Sequence, residues 1–144
     1  MQPRVSHSLV QTLRGIPDFS TLDETTLLQI VGESMNLFWK AGSTIFEPGS
    51  HGDALYVVLS GEVAIYADDG QEVVHPKAGD FFGEMSILLE ATHSRTAMAV
   101  SDTEILVLPK DAFKKLLGEN PRLSSHFDSV VKTRQKIEVG SLED

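Results

Sequence analysis

A turn between two short apolar segments stands near the middle of the sequence, in Val63-Ala64-Ile65-Tyr66-Ala67-Asp68-Asp69-Gly70-Gln71-Glu72-Val73-Val74. The Asp69-Gly70 pair predicts a β-hairpin, because these residues accept the backbone angles of a tight turn between strands. Similar apolar segments recur between residues 38 and 108, and we predict strands over 43–46, 54–60, 62–66, 72–75, 96–99 and 104–108. Many short strands at this spacing are typical of a sandwich, barrel or jelly roll.

Helical periodicity replaces the alternating pattern on the N-terminal side of this region. We expect helices within about residues 8–36, with a short amphipathic piece near the start and a longer helix over about 24–33. Asp23 is one candidate for the N-cap of the longer helix. A capping box formed by Thr21 and Glu24 is the alternative.

Helical periodicity also returns on the C-terminal side, where we expect two helices within about residues 110–137. The first is predicted to end at Gly118, and the second to begin at Pro121 with Asn120 as its N-cap. The second helix places four apolar residues on roughly one side: Phe127, Val130, Val131 and Ile137. The sequence therefore predicts a mainly β fold, a small barrel with α-helices at both ends.

Composition sets limits on what the chain does. With 144 residues, 41% of them hydrophobic and 23% charged, it fits one globular domain over residues 1–144. It has no cysteine, which excludes disulfides and thiol catalysis and is consistent with a cytoplasmic location. A net charge of −9 argues against nucleic acid as a partner, and no apolar run approaches the roughly 18 residues that span a membrane. The five histidines lack the spacing of metal ligands, so we expect no metal and no metal-dependent jelly-roll enzyme of the cupin type. We expect the chain not to be an enzyme.

One segment interrupts the strand pattern with about one helical turn, Phe81-Phe82-Gly83-Glu84-Met85-Ser86-Ile87-Leu88-Leu89. Gly83 would free the backbone for a tight approach. The amides of Glu84, Met85 and Ser86 would then lie unpaired at a helix start, which is a favourable place for an anion. A simple strand bend at Gly83 is the alternative interpretation.

Arg95 is one of two cations between residues 41 and 109, a segment that also holds eleven acidic residues. It lies beside the hydroxyl of Thr96, and arginine can bind a phosphate with two hydrogen bonds. Glu84 would repel that phosphate unless it pointed elsewhere, for instance to a sugar hydroxyl, so the combination suggests a ribose phosphate. A surface ion pair of Arg95 with Glu84 or Glu90 is the alternative.

Three ordered motifs extend this interpretation to most of the chain. They are FEPGSHGDALYVVLSG at 46–61, GDFFGEMS at 79–86 followed by RTA at 95–97, and DTEILVLP at 102–109. In this order and spacing they resemble the cyclic nucleotide-binding domain of kinase regulatory subunits, gated channels and bacterial catabolite-type regulators. The resemblance covers about residues 13–133.

The resemblance implies a β-roll, which is a jelly-roll-like double-stranded β-helix, with N-terminal helices and two C-terminal helices that move when ligand binds. It implies cyclic AMP or cyclic GMP as the ligand, and no cofactor. Arg95 would bind the cyclic phosphate, and Glu84 the ribose 2′-hydroxyl. The ligand-binding residues that it implies are Gly83, Glu84, Met85, Ser86, Arg95 and Thr96. Main-chain amides of Met85 or Ser86, and of Thr96, would complete the phosphate cradle, and the choice of base stays open at the Thr96 hydroxyl.

The chain departs from the family pattern between Glu84 and Arg95, where the loop is a residue or two longer than usual and lacks the common glycine and proline. We expect this loop, Leu89-Glu90-Ala91-Thr92-His93-Ser94, to bulge into solvent. The alternative is that it displaces Arg95 and weakens binding.

The predicted function is a regulatory sensor module that relays nucleotide binding through its C-terminal helices to an effector domain or protein partner. A homo-oligomer is compatible with this. The alternatives are the same fold with a degenerate pocket that binds proteins, or the sensor half of a longer transcription regulator.

Other conspicuous residues have structural interpretations. The resemblance places Asp53 and Glu47 where the family fixes loop turns. We expect Phe38 and Trp39 to pack in the core. Phe127 is expected either to be buried against the roll or to close over the purine as a lid.

Overall fold

A computed structural model describes the backbone of residues 3–143 and the side chains of residues 9–17 and 19–133. The strands are β1 (Met35–Trp39), β2 (Thr44–Phe46), β3 (Ala54–Ser60), β4 (Val63–Tyr66), β5 (Glu72–Val74), β6 (Phe81–Phe82), β7 (Thr96–Ala99) and β8 (Thr103–Pro109). The helices are α1 (Pro3–Arg14), α2 (Glu24–Glu33), α3 (Glu84–Leu88), α4 (Lys110–Glu119) and α5 (Pro121–Glu143), with a 3-10 turn at Pro17–Phe19. Each of the six predicted strands is confirmed to within one residue at either end.

The strands form two antiparallel sheets, in the orders β1-β8-β3-β6 and β2-β7-β4-β5. The hairpin between β4 and β5 is confirmed: Gly70 turns the chain with a positive φ of 84°, and its amide donates to the Ala67 carbonyl at 2.9 Å. Two antiparallel sheets, with helices before and after the strands in the chain, confirm the predicted mainly β fold with flanking helices.

Two hydrophobic clusters use opposite faces of the first sheet. Because side chains alternate along a strand, Val58 and Ile105 point toward the second sheet, whereas Leu55 and Leu106 point toward the helices. The cluster between the sheets also takes Val63, Ile65 and Ala97 from the second sheet. The other cluster joins the strands to all the described helices, including Leu13, Leu27, Ile87, Phe113 and Phe127.

The helix boundaries agree with prediction in part. Asp23 is the N-cap of α2, where its carboxylate accepts a hydrogen bond from the Thr26 amide at 2.8 Å. This hydrogen bond lowers the pKa of Asp23. α5 begins at Pro121 as predicted, but the prediction that α4 stops at Gly118 is wrong, since α4 continues to Glu119.

The side-chain amide of Asn120 donates back to the Leu116 carbonyl at 2.8 Å and so satisfies the last turn of α4. The position of Ile137 on α5 lies outside the described side chains.

Two strands, β1 and β6, were not predicted. The expectation of helix to about residue 36 is wrong because α2 ends at Glu33 and the chain enters β1 at Met35. Phe38 is 63% exposed, so its predicted place in the core is also wrong. Trp39 does pack against the cluster between the sheets. β1 carries apolar residues on an exposed edge strand, which removes the hydrophobic alternation by which strands are recognised.

Candidate functional site

The site predicted from the sequence lies where β6 passes into α3. Gly83 is the residue between them and has a φ of +90°, in the left-handed region that favours glycine. A Cβ at this position would lie 2.8 Å from Cδ1 of Tyr56 and 3.0 Å from the Ala54 carbonyl oxygen. Gly83 therefore allows α3 to start directly against β3, which is a tighter requirement than a strand bend.

Glu84 is the first residue of α3 and its exposed fraction is 0%. A carboxylate out of contact with water is costly unless other groups compensate its charge, and Glu84 does interact with other groups of the chain. Since the first amides of a helix have no acceptor within it, the start of α3 presents positive partial charge around this side chain. Met85 and Ser86, the next two residues, are half-buried.

Arg95 stands immediately before β7 and is half-buried, with its Nη1 atom buried. Thr96, the first residue of β7, is also half-buried and pairs in register with Tyr66 of β4. The guanidinium therefore lies partly inside the protein. Glu90, the alternative surface partner of Arg95, is exposed and has Lys114 as a described neighbour, with Nζ 4.0 Å from Oε2.

The loop between α3 and Arg95 is exposed at five of its six residues and anchored at the other. Leu89, Glu90, Ala91, Thr92 and Ser94 are exposed, which agrees with the predicted bulge. His93 is buried, and its Nδ1 atom lies 2.8 Å from the Ser86 hydroxyl. The Ala91 amide also donates to the Ser86 carbonyl at 2.9 Å. These two bonds tie α3 to the loop that leads to Arg95.

His93 was not predicted as a residue of this site. Its spacing from the other histidines is not that of a metal ligand, and its burial depends on Phe46, which is distant in sequence. The two rings stack, with centroids 3.6 Å apart and an interplanar angle of 5°.

Asp53 and Glu47, which the family resemblance places in loop turns, both form main-chain hydrogen bonds. The Asp53 amide donates to the His51 carbonyl at 3.1 Å, and the Glu47 carbonyl accepts the Ser50 amide at 3.2 Å. Both residues thus take part in turns through their main chains. Asp53 also adds to the raised pKa of Tyr56, which is caused first by burial of the phenol.

Phe127 of α5 is buried at the junction of helices and sheet. Its ring lies 4.9 Å from the ring of Phe81 on β6, 5.0 Å from Phe113 on α4 and 6.4 Å from Phe19, measured between centroids. Of the two predicted positions for Phe127, the structure has the one against the roll.

Neither a metal cluster nor a membrane-spanning helix is found among the described residues. Within this part of the chain, no group of three or more histidine, aspartate or glutamate side chains is placed to hold a metal ion. No helix in the same part has the length and apolar character needed to cross a bilayer.

These features define a β-roll flanked by helices, with a glycine-started short helix and an arginine at the head of the next strand. The profile of the family described as the cyclic nucleotide-binding domain matches residues 36–120. The chain belongs to this family, as the motifs at 46–61, 79–86 and 102–109 indicated.

Relatives and solved structures agree with this assignment. A cAMP-dependent protein kinase regulatory subunit from Colletotrichum orbiculare is 36% identical over 107 residues, which are 74% of this chain and 27% of the relative. This chain thus spans about a quarter of the length of that relative.

Two solved structures extend the likeness to the fold. The catabolite activator protein of Thermus thermophilus superposes with a TM-score of 0.75 and 30% identity over 88% of this chain and 62% of its own. The cAMP-bound PfPKA-R fragment has a TM-score of 0.86 and 19% identity, over 96% of this chain and 48% of its own.

Proposed function

We propose that this chain is a non-catalytic regulatory module whose ligand is a cyclic nucleotide, cyclic AMP or cyclic GMP. The observation that carries the proposal is that a fully buried Glu84 and a half-buried Arg95 lie at the two ends of the segment formed by α3 and its anchored loop. Membership of the cyclic nucleotide-binding family supports it. A metal or further cofactor has no role in this proposal.

Each site residue has a role in this proposal. Arg95 binds the cyclic phosphate, with the amide of Thr96 and the amide of Met85 or Ser86 as further donors. Glu84 accepts the ribose 2′-hydroxyl from its buried position. Gly83 sets the start of α3 against β3, so that the first-turn amides face the ligand.

Cyclic AMP is the first ligand to test, because the PfPKA-R fragment of similar fold is described as cAMP-bound. Cyclic GMP is the second, since the half-buried Thr96 hydroxyl lies beside Arg95. At about 22 heavy atoms and ~0.3 kcal/mol per atom, a binding free energy of about −7 kcal/mol is expected. This corresponds to a Kd of roughly 10 µM.

The proposed output is a change in the helices α4 and α5. Phe127 of α5 packs on Phe81, which lies two residues before Gly83, so a shift of α3 on ligand binding has a direct contact path to α5. A kinase catalytic subunit, an attached effector domain or a second copy of the chain is the partner class that such a movement would regulate. We also propose a cytoplasmic location, which is consistent with a sequence that contains no cysteine.

The test of ligand binding is calorimetric titration of the wild-type protein with cyclic AMP and with cyclic GMP. Arg95→Ala removes the cation from a phosphate that is largely desolvated, which costs about 2–5 kcal/mol. The expected result is a Kd weakened about 30-fold or more, beyond detection at ordinary protein concentrations.

Arg14→Ala is the matched control, since it removes an exposed arginine from the end of α1. It should bind as the wild type does, and circular dichroism should show all three proteins folded. Equal affinity of Arg95→Ala and wild type would refute the role of Arg95. Failure of the wild-type protein to bind either nucleotide would refute the proposed function.

A further inference from the structure

His93 occupies a position in the extended loop that brings a titratable ring into the site. It lies two residues before Arg95, and its exposed fraction is 5% although its chain neighbours Thr92 and Ser94 are exposed. The loop therefore turns this one side chain inward. A buried histidine in an otherwise solvated loop needs specific contacts to stay there.

The contacts of His93 come from both its ring and its main chain. The ring stacks on Phe46 of β2, and its Nδ1 atom lies 2.8 Å from the hydroxyl of Ser86 on α3. The His93 amide donates to the Ser50 carbonyl at 2.9 Å, and its carbonyl accepts the Gly49 amide at 2.8 Å. These contacts fix the loop to the rest of the roll just before the chain reaches Arg95.

Ser86 is also in close contact with Gly52. A Cβ at position 52 would lie 2.3 Å from Cβ of Ser86 and 3.2 Å from the Ala91 carbonyl oxygen, so the main chain of Gly52 is in close contact with Ser86. Ser86 thus contacts both the segment before β3 and the His93 ring. The proposed function assigns either the main-chain amide of Ser86 or that of the adjacent Met85 to the cyclic phosphate.

The second ring nitrogen of His93 determines which charge state fits this position. Nε2 is buried and has no hydrogen-bond partner in the described part of the chain. In the imidazolium form this atom would be a charged donor without an acceptor, which is far more costly to bury than the neutral ring.

The pKa of His93 responds to burial and to one described charge. Burial lowers the pKa, and the carboxylate of Asp53 acts in the opposite direction with a smaller effect. The groups that touch the ring from β2 and α3, Phe46 and Ser86, are uncharged. Arg95, two residues further along the same loop, is positively charged and therefore does not favour a positive charge on the ring.

We propose that neutral His93 is a positioning residue of the nucleotide site, which holds the first turn of α3 through Ser86 and the approach to Arg95 through the loop. Acidification charges the ring, releases it from the buried position and weakens nucleotide binding. This inference rests on the proposed function and adds to it a pH-dependent control that comes from the extended loop of this chain.

The experiment compares two substitutions that separate the ring from its hydrogen bond. His93→Phe keeps an aromatic ring against Phe46 and removes the Nδ1 partner of Ser86. It also removes the unpartnered Nε2, so the urea midpoint should change little. Cyclic AMP and cyclic GMP affinities, measured by calorimetry at pH 7.5, should weaken about 3- to 10-fold, as expected for one lost hydrogen bond that positions a ligand group.

His93→Asn keeps a polar atom near the position of Nδ1 but has no titratable ring. It should bind nucleotide within about twofold of wild type at pH 7.5, although a smaller side chain lowers the urea midpoint. Because burial lowers the pKa of His93, the ring should protonate only below the ordinary histidine pKa of about 6.5. Between pH 7.5 and pH 5.0 the wild-type Kd should therefore weaken severalfold, with the change confined to the acidic end of this range, whereas the His93→Asn profile should be flat. A merely structural role would instead make affinity follow stability across the two variants.

Ser86→Ala tests the partner of the bond while keeping its main-chain amide. It should weaken binding to a similar extent as His93→Phe, and the double variant should be no weaker than either single one, because both remove the same interaction. His51→Asn is the control for the loss of an exposed histidine in a neighbouring loop. It should keep the wild-type affinity and pH profile.

The outcomes distinguish this inference from the proposed function. Wild-type affinity in His93→Phe, or an acid-induced loss that persists in His93→Asn, overturns the positioning role even if Arg95→Ala abolishes binding. Wild-type protein that binds neither nucleotide at pH 7.5 overturns the proposed function, and this inference with it.

Discussion

At the scale of single residues, Gly83 meets two independent requirements. Its φ of +90° is rarely adopted by residues with a side chain, and its Cα faces Tyr56 and the Ala54 carbonyl at a distance that leaves no room for a Cβ. Each requirement alone is costly for any other residue. Together they place the start of α3 and the amides that follow it.

The first prediction separates these two requirements with a matched pair of variants. Gly42 has a φ of +89°, and a Cβ added there would have no neighbour within 4 Å, so Gly42→Ala costs only backbone strain, about 1 kcal/mol. Gly83→Ala adds the overlap with Tyr56 and should lower the free energy of unfolding by at least about 2 kcal/mol. Urea denaturation measures both values, and equal losses would show that the contact with β3 contributes nothing.

Some residues of the candidate site could be identified from the sequence, and others could not. Gly83, Glu84 and Arg95 belong to a motif in which residue type and spacing carry the information, so they could be identified as candidates without a structure. His93 could not, because its burial depends on Phe46 and Ser50, more than forty residues away in sequence. Local patterns do not report such contacts.

At the scale of single elements, the β4–β5 hairpin carries an exposed electrostatic contact. His75, just after β5, has Nε2 at 2.6 Å from Glu62 and Nδ1 at 3.1 Å from Glu72. The hydrogen bond to Glu62, and then that to Glu72, raises the pKa of His75 above its ordinary value. All three side chains are partly exposed, so water and salt screen the interaction.

This contact predicts a pH-dependent difference in stability between wild type and His75→Gln. Because the folded-state pKa is raised, the stabilisation is fully present below the unfolded pKa of about 6.5 and is lost as pH rises through the folded value. The free energy of unfolding of the wild type should exceed that of His75→Gln by up to about 0.5 kcal/mol at pH 5.5. The two should be equal at pH 9.

Urea denaturation at both pH values, with and without 1 M NaCl, measures this difference. His51→Gln removes a different exposed histidine and should leave the profile unchanged. A difference between wild type and His75→Gln that is as large at pH 9 as at pH 5.5 would exclude a charged His75 as its cause.

Elements with a clean hydrophobic pattern were predictable, and those without it were not. β3 and β8 each place one set of residues in either cluster, so their apolar residues run nearly without interruption and mark them clearly. β1 exposes Met35, Leu37 and Phe38 and follows α2 after a single residue. With apolar residues on its exposed side, its sequence is indistinguishable from the end of a helix.

At the scale of the whole molecule, the two hydrophobic clusters lie on opposite faces of the first sheet, and β6 contributes to both. β6 contributes Phe82 to the cluster between the sheets and Phe81 to the cluster with the helices. These adjacent residues immediately precede Gly83. The short strand before the site is therefore packed on both faces. A movement of α3 would act on both clusters, because a close-packed interior transmits strain.

Phe127 makes this coupling testable. Its contacts with Phe81, Phe113 and Phe19 join α5 to the strand before the site, to α4 and to the N-terminal turn. Phe127→Leu keeps an apolar side chain but loses the three ring contacts, and it should destabilise the fold by about 1–2 kcal/mol. Nucleotide affinity should change less than stability does, since Phe127 does not belong to the proposed phosphate cradle. Urea denaturation and calorimetry on the same preparation give both numbers.

A ligand can act on the rest of the protein only by favouring one arrangement over another. If the nucleotide repositions α3, hydrogen exchange of the α4 and α5 amides should change when cyclic AMP or cyclic GMP is added, whereas β4 and β5 should exchange as before. Arg95→Ala, which is expected to fold and to lack the proposed phosphate contact, should show no change at the same nucleotide concentration. Equal protection of α4 and α5 in wild type with and without saturating nucleotide would mean that binding is not relayed through these helices. In that case the contact from Phe81 to Phe127 only stabilises the fold.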